Sequence, residues 1–62
     1  MSKMKIETAK EIIILDVATK GKLTQIGLRA YVENRISKNT LNRLVDIGLK
    51  KFKAFGVSKW NA

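Results

Sequence analysis

The sequence predicts an all-α fold of three helices, near residues 9–20, 25–34 and 38–55. Three observations support this prediction. The last segment repeats apolar residues at intervals of three and four, helix-start residues precede each segment, and residues 12–17 lack the alternation of a half-exposed strand. The chain has 62 residues, so one domain, residues 1–62, is expected.

The first helix is framed by two capping signals. Thr8 and Glu11 have the spacing of a capping box, and Gly21 stands where a helix C′ glycine is expected. The intervening stretch, residues 12–17, is apolar on nearly every side of a helical wheel, although its β-branched isoleucines would also suit a strand. A helix apolar all round is buried, and in so small a chain this predicts a partner subunit.

The second helix is expected to start after Thr24 as N-cap and to end near Asn34. Gly27 lies inside it, where a glycine weakens a helix by about 1 kcal/mol relative to alanine. We interpret Gly27 as a position that lets another helix approach closely.

The third helix has the clearest pattern. Ser37 is a favourable N-cap and Gly56 a favourable C′ residue. The predicted buried arc contains Leu41, Leu44, Val45, Gly48, Leu49, Phe52 and Phe55. The opposite arc contains Asn39, Asn42, Arg43, Asp46, Lys50 and Lys53, and Ile47 breaks the pattern.

The positive charge is segregated along the chain. Thirteen lysines and arginines against five acids give a net charge of +8. Residues 1–19 sum to zero, residues 20–36 to +3 and residues 37–62 to +5. A segregated positive field attracts polyanions, which predicts a nucleic-acid partner; an incidentally basic protein is the plainer alternative.

Catalysis and metal binding are not expected. The chain has no histidine and no cysteine, so it lacks the usual bases, nucleophiles, disulfides and zinc ligands. We expect no enzyme activity, no cofactor and no metal. A core this small without covalent staples also predicts a homodimer or higher oligomer. The longest apolar run, residues 12–15, is far shorter than the roughly 20 residues that span a bilayer, and no secretory signal is evident, so we expect a cytoplasmic protein and no membrane partner.

The outward face of the third helix supplies the predicted nucleic-acid contacts. Asparagine pairs with adenine and arginine with guanine through two hydrogen bonds, whereas lysine suits phosphates. Residues near the start of a recognition helix reach deepest into the major groove. The predicted DNA-binding residues are Lys38, Asn39, Thr40, Asn42, Arg43, Lys50, Lys53, Thr24, Gln25, Arg29 and Arg35. An ordinary solvated helix face is the alternative interpretation, and the near-absence of acids argues against it.

Residues 23–30 (LTQIGLRA) followed by residues 36–44 (ISKNTLNRL) resemble a helix-turn-helix motif. In that family Thr-Gln opens the first helix, a small residue packs inside it, and a hydrophobic residue and serine lead into the recognition helix. The segment is also similar to the core of winged-helix regulators, without room for a wing. The resemblance implies duplex DNA binding by a small regulator or accessory protein, such as one from a phage or plasmid. The link from Ala30 to Ser37 is longer than usual and lacks the turn glycine, for which Asn34 is the expected replacement.

Residues 40–49 are also similar to the second helix of ribbon-helix-helix repressors, with residues 22–35 as the first helix and residues 12–17 as the DNA-contacting ribbon. This alternative ranks second, because one side of such a ribbon is apolar and the other adds only the acidic Asp16, so neither side suits contact with bases. Residues 50–55 with Trp60 resemble a cationic, aromatic-tipped membrane helix, and RNA is a further alternative partner. Trp60 either covers the edge of the core or stacks on a base.

Overall fold

The computed structural model describes residues 5–60, with side chains described for residues 5–55. It contains α1 (Ile6–Lys20), α2 (Gln25–Glu33) and α3 (Lys38–Trp60). No strand occurs among residues 5–60, so the predicted all-α fold of three helices is confirmed. The two roles predicted for Trp60 concern a side chain outside the described ones.

The C-terminal end of α1 lies where it was predicted, and the N-terminal end does not. The helix starts at Ile6 with Lys5 as N-cap, so Thr8 lies in the first turn and the predicted capping box does not mark the start. Glu7 in the first turn favours the earlier start, because a carboxylate stabilises the positive end of the helix dipole. At the other end Gly21 has φ of 77° and its N–H donates to the Val17 carbonyl at 2.8 Å, as predicted.

The starts of α2 and α3 follow the predicted caps. Thr24 is the N-cap of α2 and has an extended backbone. Ser37 precedes α3, where its Oγ accepts a hydrogen bond from the Thr40 N–H at 3.2 Å. The predicted end of α3 at residue 55 is wrong, because the helix continues through Gly56 to Trp60. A glycine weakens a helix by about 1 kcal/mol relative to alanine. This cost alone is too small to end α3 at Gly56.

The turn between α2 and α3 is a Schellman motif. The Arg35 N–H donates to the Val32 carbonyl at 3.2 Å, and the Ile36 N–H donates to the Tyr31 carbonyl at 3.1 Å. The left-handed residue of the motif is Arg35, with φ of 50°, and not Asn34 as predicted, which has φ of −104°.

Helix α1 is the centre of the fold. It packs against both α2 and α3, which have little direct contact with each other. The order of neighbours shows that α1 and α3 run in the same direction, since Val17 adjoins Gly48 and Gly21 adjoins Phe52. The buried core contains Ala9, Ile13, Val17, Ala30, Ile36 and Leu44.

The apolar stretch of α1 is mostly covered within one chain. Ile13 and Val17 are fully buried, Ile12 and Ile14 are half-buried, and Leu15 is 60% exposed. The burial of α1 therefore needs no partner subunit, because α2 and α3 provide it. Residues 12–17 are helical, so the ribbon required by the ribbon-helix-helix interpretation is absent from this segment and that interpretation is wrong.

Candidate nucleic-acid interface

The candidate site is the outward face of α3, on the side away from buried Leu44 and Gly48. Helical spacing places its members on one arc, and each of them is exposed. We call this surface the α3 face, and its members are Asn39, Asn42, Arg43, Asp46, Lys50 and Lys53.

The first turns of the α3 face are open to a ligand. Lys38, Asn39, Asn42 and Arg43 are all exposed. Within the described part of the chain, no hydrogen bond or ion pair engages the side chains of Asn39, Asn42 or Arg43. Their amide and guanidinium groups are therefore available to pair with an external partner.

One acid lies within the α3 face. The Asp46 carboxylate is 3.3 Å from Lys50 Nζ, one helical turn away, and both side chains are well exposed. An exposed pair of this kind contributes little free energy, so Lys50 can leave it for a phosphate at small cost. Lys53 is exposed on the same face and Lys51 is exposed beside that face, so both add positive charge along the helix.

Two of the predicted contact residues have hydroxyls that are already bound within the protein. The Thr40 hydroxyl accepts a hydrogen bond from the Ser37 hydroxyl at 2.9 Å, as part of the α3 start. The Thr24 hydroxyl donates to Asp16 Oδ1 at 2.7 Å. Both threonines are half-buried and serve the fold.

The predicted contact residues outside α3 are dispersed. Gln25 and Arg29 are exposed on α2, which has little contact with α3, and Arg29 Nε lies 3.2 Å from Glu33 Oε2. Arg35 is exposed in the turn directly before α3. The structure thus brings together the residues of α3, with Arg35 beside its start, and leaves the α2 residues apart.

Asp16 is an important residue that no sequence pattern predicted. Its side chain on α1 is only 6% exposed, and its carboxylate accepts hydrogen bonds from the Thr24 hydroxyl and N–H, each at 2.7 Å, and from the Gly27 N–H at 3.1 Å. A Cβ at residue 27 would lie 2.6 Å from Asp16 Oδ2, which is too close. Only a glycine at this position leaves room for the carboxylate. The predicted close approach at Gly27 is therefore confirmed.

The environment of Asp16 keeps it ionised. Burial by itself raises the pKa of this carboxyl, but the hydrogen bonds from Thr24 and Gly27 and the charge of Lys20 outweigh burial and lower the pKa below its ordinary value. A lone acid in an apolar stretch, eight residues before a helix start, is the sequence signal that could have found it.

The described residues contain neither a cluster of metal ligands nor a helix that could span a membrane. No group of acidic, histidine or cysteine side chains between residues 5 and 55 could hold a metal ion. None of the helices, over the part of the chain that the structure describes, has the length and apolarity to cross a bilayer. Comparisons of the chain with protein-family models, curated proteins and solved structures find no match.

Proposed function

We propose that this protein binds duplex DNA through the α3 face, as a small regulator or accessory protein. One observation carries the proposal: every member of the face is exposed, and its amides and Arg43 have no partner among the described side chains. The only acid on the face, Asp46, is paired with Lys50.

The dimensions and chemistry of the face suit a major groove. An α-helix with its side chains is about 10–12 Å wide, and the major groove of B-DNA is about 12 Å wide. Asn39, Asn42 and Arg43 in the first turns would contact base edges, with Lys38 beside them. Further along, Lys50, Lys51 and Lys53 would neutralise phosphates, which position a protein on the duplex without selecting a sequence.

The residues outside α3 take smaller parts in the proposal. Arg35 lies next to the start of α3 and would contact a flanking phosphate. Gln25 and Arg29 contact DNA only where the duplex also passes α2. Thr24 is assigned no contact, because its hydroxyl is bound to Asp16, and Thr40 contributes through its place in the α3 cap.

Binding across salt concentrations tests the proposal directly. Labelled random-sequence duplex DNA, single-stranded DNA and structured RNA are titrated with the protein at low and moderate salt. Because each neutralised phosphate releases counterions, four to six phosphate contacts should reduce duplex affinity about 150- to 1,800-fold over a fourfold rise in salt. An affinity that does not change with salt would show the proposed mechanism to be wrong. If the protein binds RNA more tightly than duplex DNA, RNA is the ligand instead.

Variants of the face separate base contacts from phosphate contacts. Arg43→Ala should lower duplex affinity by about 1–3 kcal/mol and relax sequence preference, whereas Lys53→Gln should weaken all sequences alike. Lys5→Gln is the matched control, because it removes an exposed cation that belongs to α1 and not to the α3 face. Equal losses in Lys53→Gln and Lys5→Gln would mean that only net charge matters and that the α3 face is not the site.

A further inference from the structure

The outward side of α2 is an apolar surface in a chain of net charge +8. Ile26 is 62% exposed, Leu28 is 44% exposed and Val32 is 66% exposed, all within one short helix. With their polar neighbours they form a shallow groove, and we call this surface the α2 face. Its members are Gln25, Ile26, Leu28, Arg29, Val32 and Glu33.

The charges of the α2 face cancel. Arg29 and Glu33 are its charged residues and they form an ion pair at 3.2 Å. The exposed apolar residues of α3, by contrast, lie among cations: Ile47, Phe52 and Phe55 are interspersed with Lys50, Lys51 and Lys53. On α1, Leu15 has no exposed large apolar neighbour at helical spacing within the described residues. Among the described side chains of the three helices, only those of α2 combine several closely spaced, exposed apolar residues with balanced charges.

We propose that the α2 face is where a second copy of this chain docks. Two copies that each carry +8 repel one another where their basic residues meet. The α2 face lets them approach without bringing unpaired like charges together, while it removes apolar area from water. An acidic partner protein would instead be drawn to the cationic α3 face.

The arrangement of charge also fits a two-fold contact. In an isologous dimer the same patch faces itself. When two α2 helices cross antiparallel about an axis between Arg29 and Glu33, each arginine lies toward the glutamate of the other copy. Val32 then lies close to the axis, so its exposed side chain is covered on both copies.

The size of the surface predicts a weak dimer. A specific interface needs about 1,000 Å² in total, or roughly 500 Å² from each copy, which is about a tenth of the 5213 Å² surface of the chain. The α2 face lies on a helix of nine residues, so an interface built on it belongs at the small end of this range. A dissociation constant in the micromolar range is therefore expected, without any requirement for DNA.

Sedimentation velocity of the full chain, from low micromolar to submillimolar concentration, measures the dimer. Val32→Lys should abolish it, and Leu15→Lys, a matched change of an exposed apolar helix residue, should leave it intact. Helical content by circular dichroism confirms that both variants fold. A wild-type chain that stays monomeric throughout, or a dimer lost in Leu15→Lys and kept in Val32→Lys, would overturn the proposal.

A charge-exchange pair tests whether the partner is a second copy in the two-fold arrangement. Arg29→Glu and Glu33→Arg each place two like charges on the α2 face, so each variant alone should be monomeric. An equal mixture of the two should form a heterodimer, because the faces are then oppositely charged. Monomers in the mixture, or dimers of either variant as strong as the wild type, would refute this contact. Because these measurements contain no nucleic acid, their outcome is independent of the proposed DNA binding.

Discussion

At the scale of single residues, Asp16 links two helices through one carboxylate. Helix starts usually rely on the side chain of the N-cap residue itself. Here the Thr24 hydroxyl donates to Asp16, and the same carboxylate accepts from the backbone N–H of Gly27, the third residue of α2. The start of α2 is therefore capped by α1, and forming the helix and docking it on α1 are coupled events.

Asp16→Asn should lower the free energy of unfolding by about 1–3 kcal/mol at neutral pH. The amide has nearly the shape of the carboxylate, but it has one acceptor oxygen instead of two and carries no charge. The folded pKa of Asp16 is lowered, so its stabilisation is complete above the unfolded pKa of about 3.9 and disappears as the pH falls through the lower folded value. Urea unfolding at neutral pH and at acid pH measures this difference.

The control for this experiment is Asp46→Asn, which removes an exposed carboxylate paired only with Lys50. Its effect should stay below about 1 kcal/mol. The gap in stability between wild type and Asp16→Asn should shrink on acidification, because the wild type loses the same charge by protonation. A gap that stays constant down to strongly acid pH would contradict the assignment.

At the scale of helices, the sequence predicts boundaries well where a local cap decides them. Thr24, Ser37 and Gly21 each mark a boundary that the structure confirms. Thr8 and Gly56 carry equally familiar local signals, yet α1 starts before Thr8 and α3 continues beyond Gly56. A cap signal shows that a helix can begin or end at a position, and the conformation of the flanking residues determines whether it does.

The left-handed residue of the α2–α3 turn illustrates the same limit. Asparagine tolerates this conformation better than arginine, so residue preference alone selects Asn34. In the structure the Asn34 side chain instead donates from Nδ2 to the Ala30 carbonyl at 2.9 Å. The hydrogen bond from Ile36 to Tyr31 closes the motif, which places Arg35 at the left-handed position.

Arg35→Gly should therefore raise the free energy of unfolding by about 0.5–1 kcal/mol, because glycine adopts positive φ without the steric cost of a side chain. Asn34→Gly is the neighbouring control and should lower the free energy of unfolding. It removes the hydrogen bond from the Asn34 side chain to the Ala30 carbonyl, and glycine gains nothing at a residue with negative φ. Urea unfolding measures both. If the Arg35→Gly protein is less stable than the wild type, the arginine side chain supports the turn and the prediction is wrong. The same variant should also bind duplex DNA more weakly, and its affinity should depend less steeply on salt.

At the scale of the whole molecule, the composition of the candidate site could be predicted only in part. The α3 face follows from helical periodicity, so its six members were predictable from their spacing. Whether each side chain is free to contact a ligand could not be predicted, because that depends on tertiary contacts. Thr24 is bound to Asp16, a residue of another helix, and this contact has no signature in the local sequence around Thr24.

The placement of α2 and α3 on α1 separates two surfaces of different chemistry. Because α2 and α3 have little mutual contact, the neutral α2 face and the cationic α3 face belong to different parts of the surface. A dimer joined through α2 would leave both α3 faces exposed. One dimer would then offer two DNA-binding helices.

Such a dimer should bind long duplexes by engaging both α3 faces at once. On a duplex of about three helical turns the second contact becomes intramolecular, so the wild type should bind it at least tenfold more tightly than a duplex of about one turn. Val32→Lys should lose this advantage while its affinity for the short duplex does not fall, because its own α3 face is intact. Leu15→Lys adds the same charge and should keep the advantage. If Val32→Lys and Leu15→Lys retain it equally, the two α3 faces of a dimer are not used together, and each chain binds DNA alone.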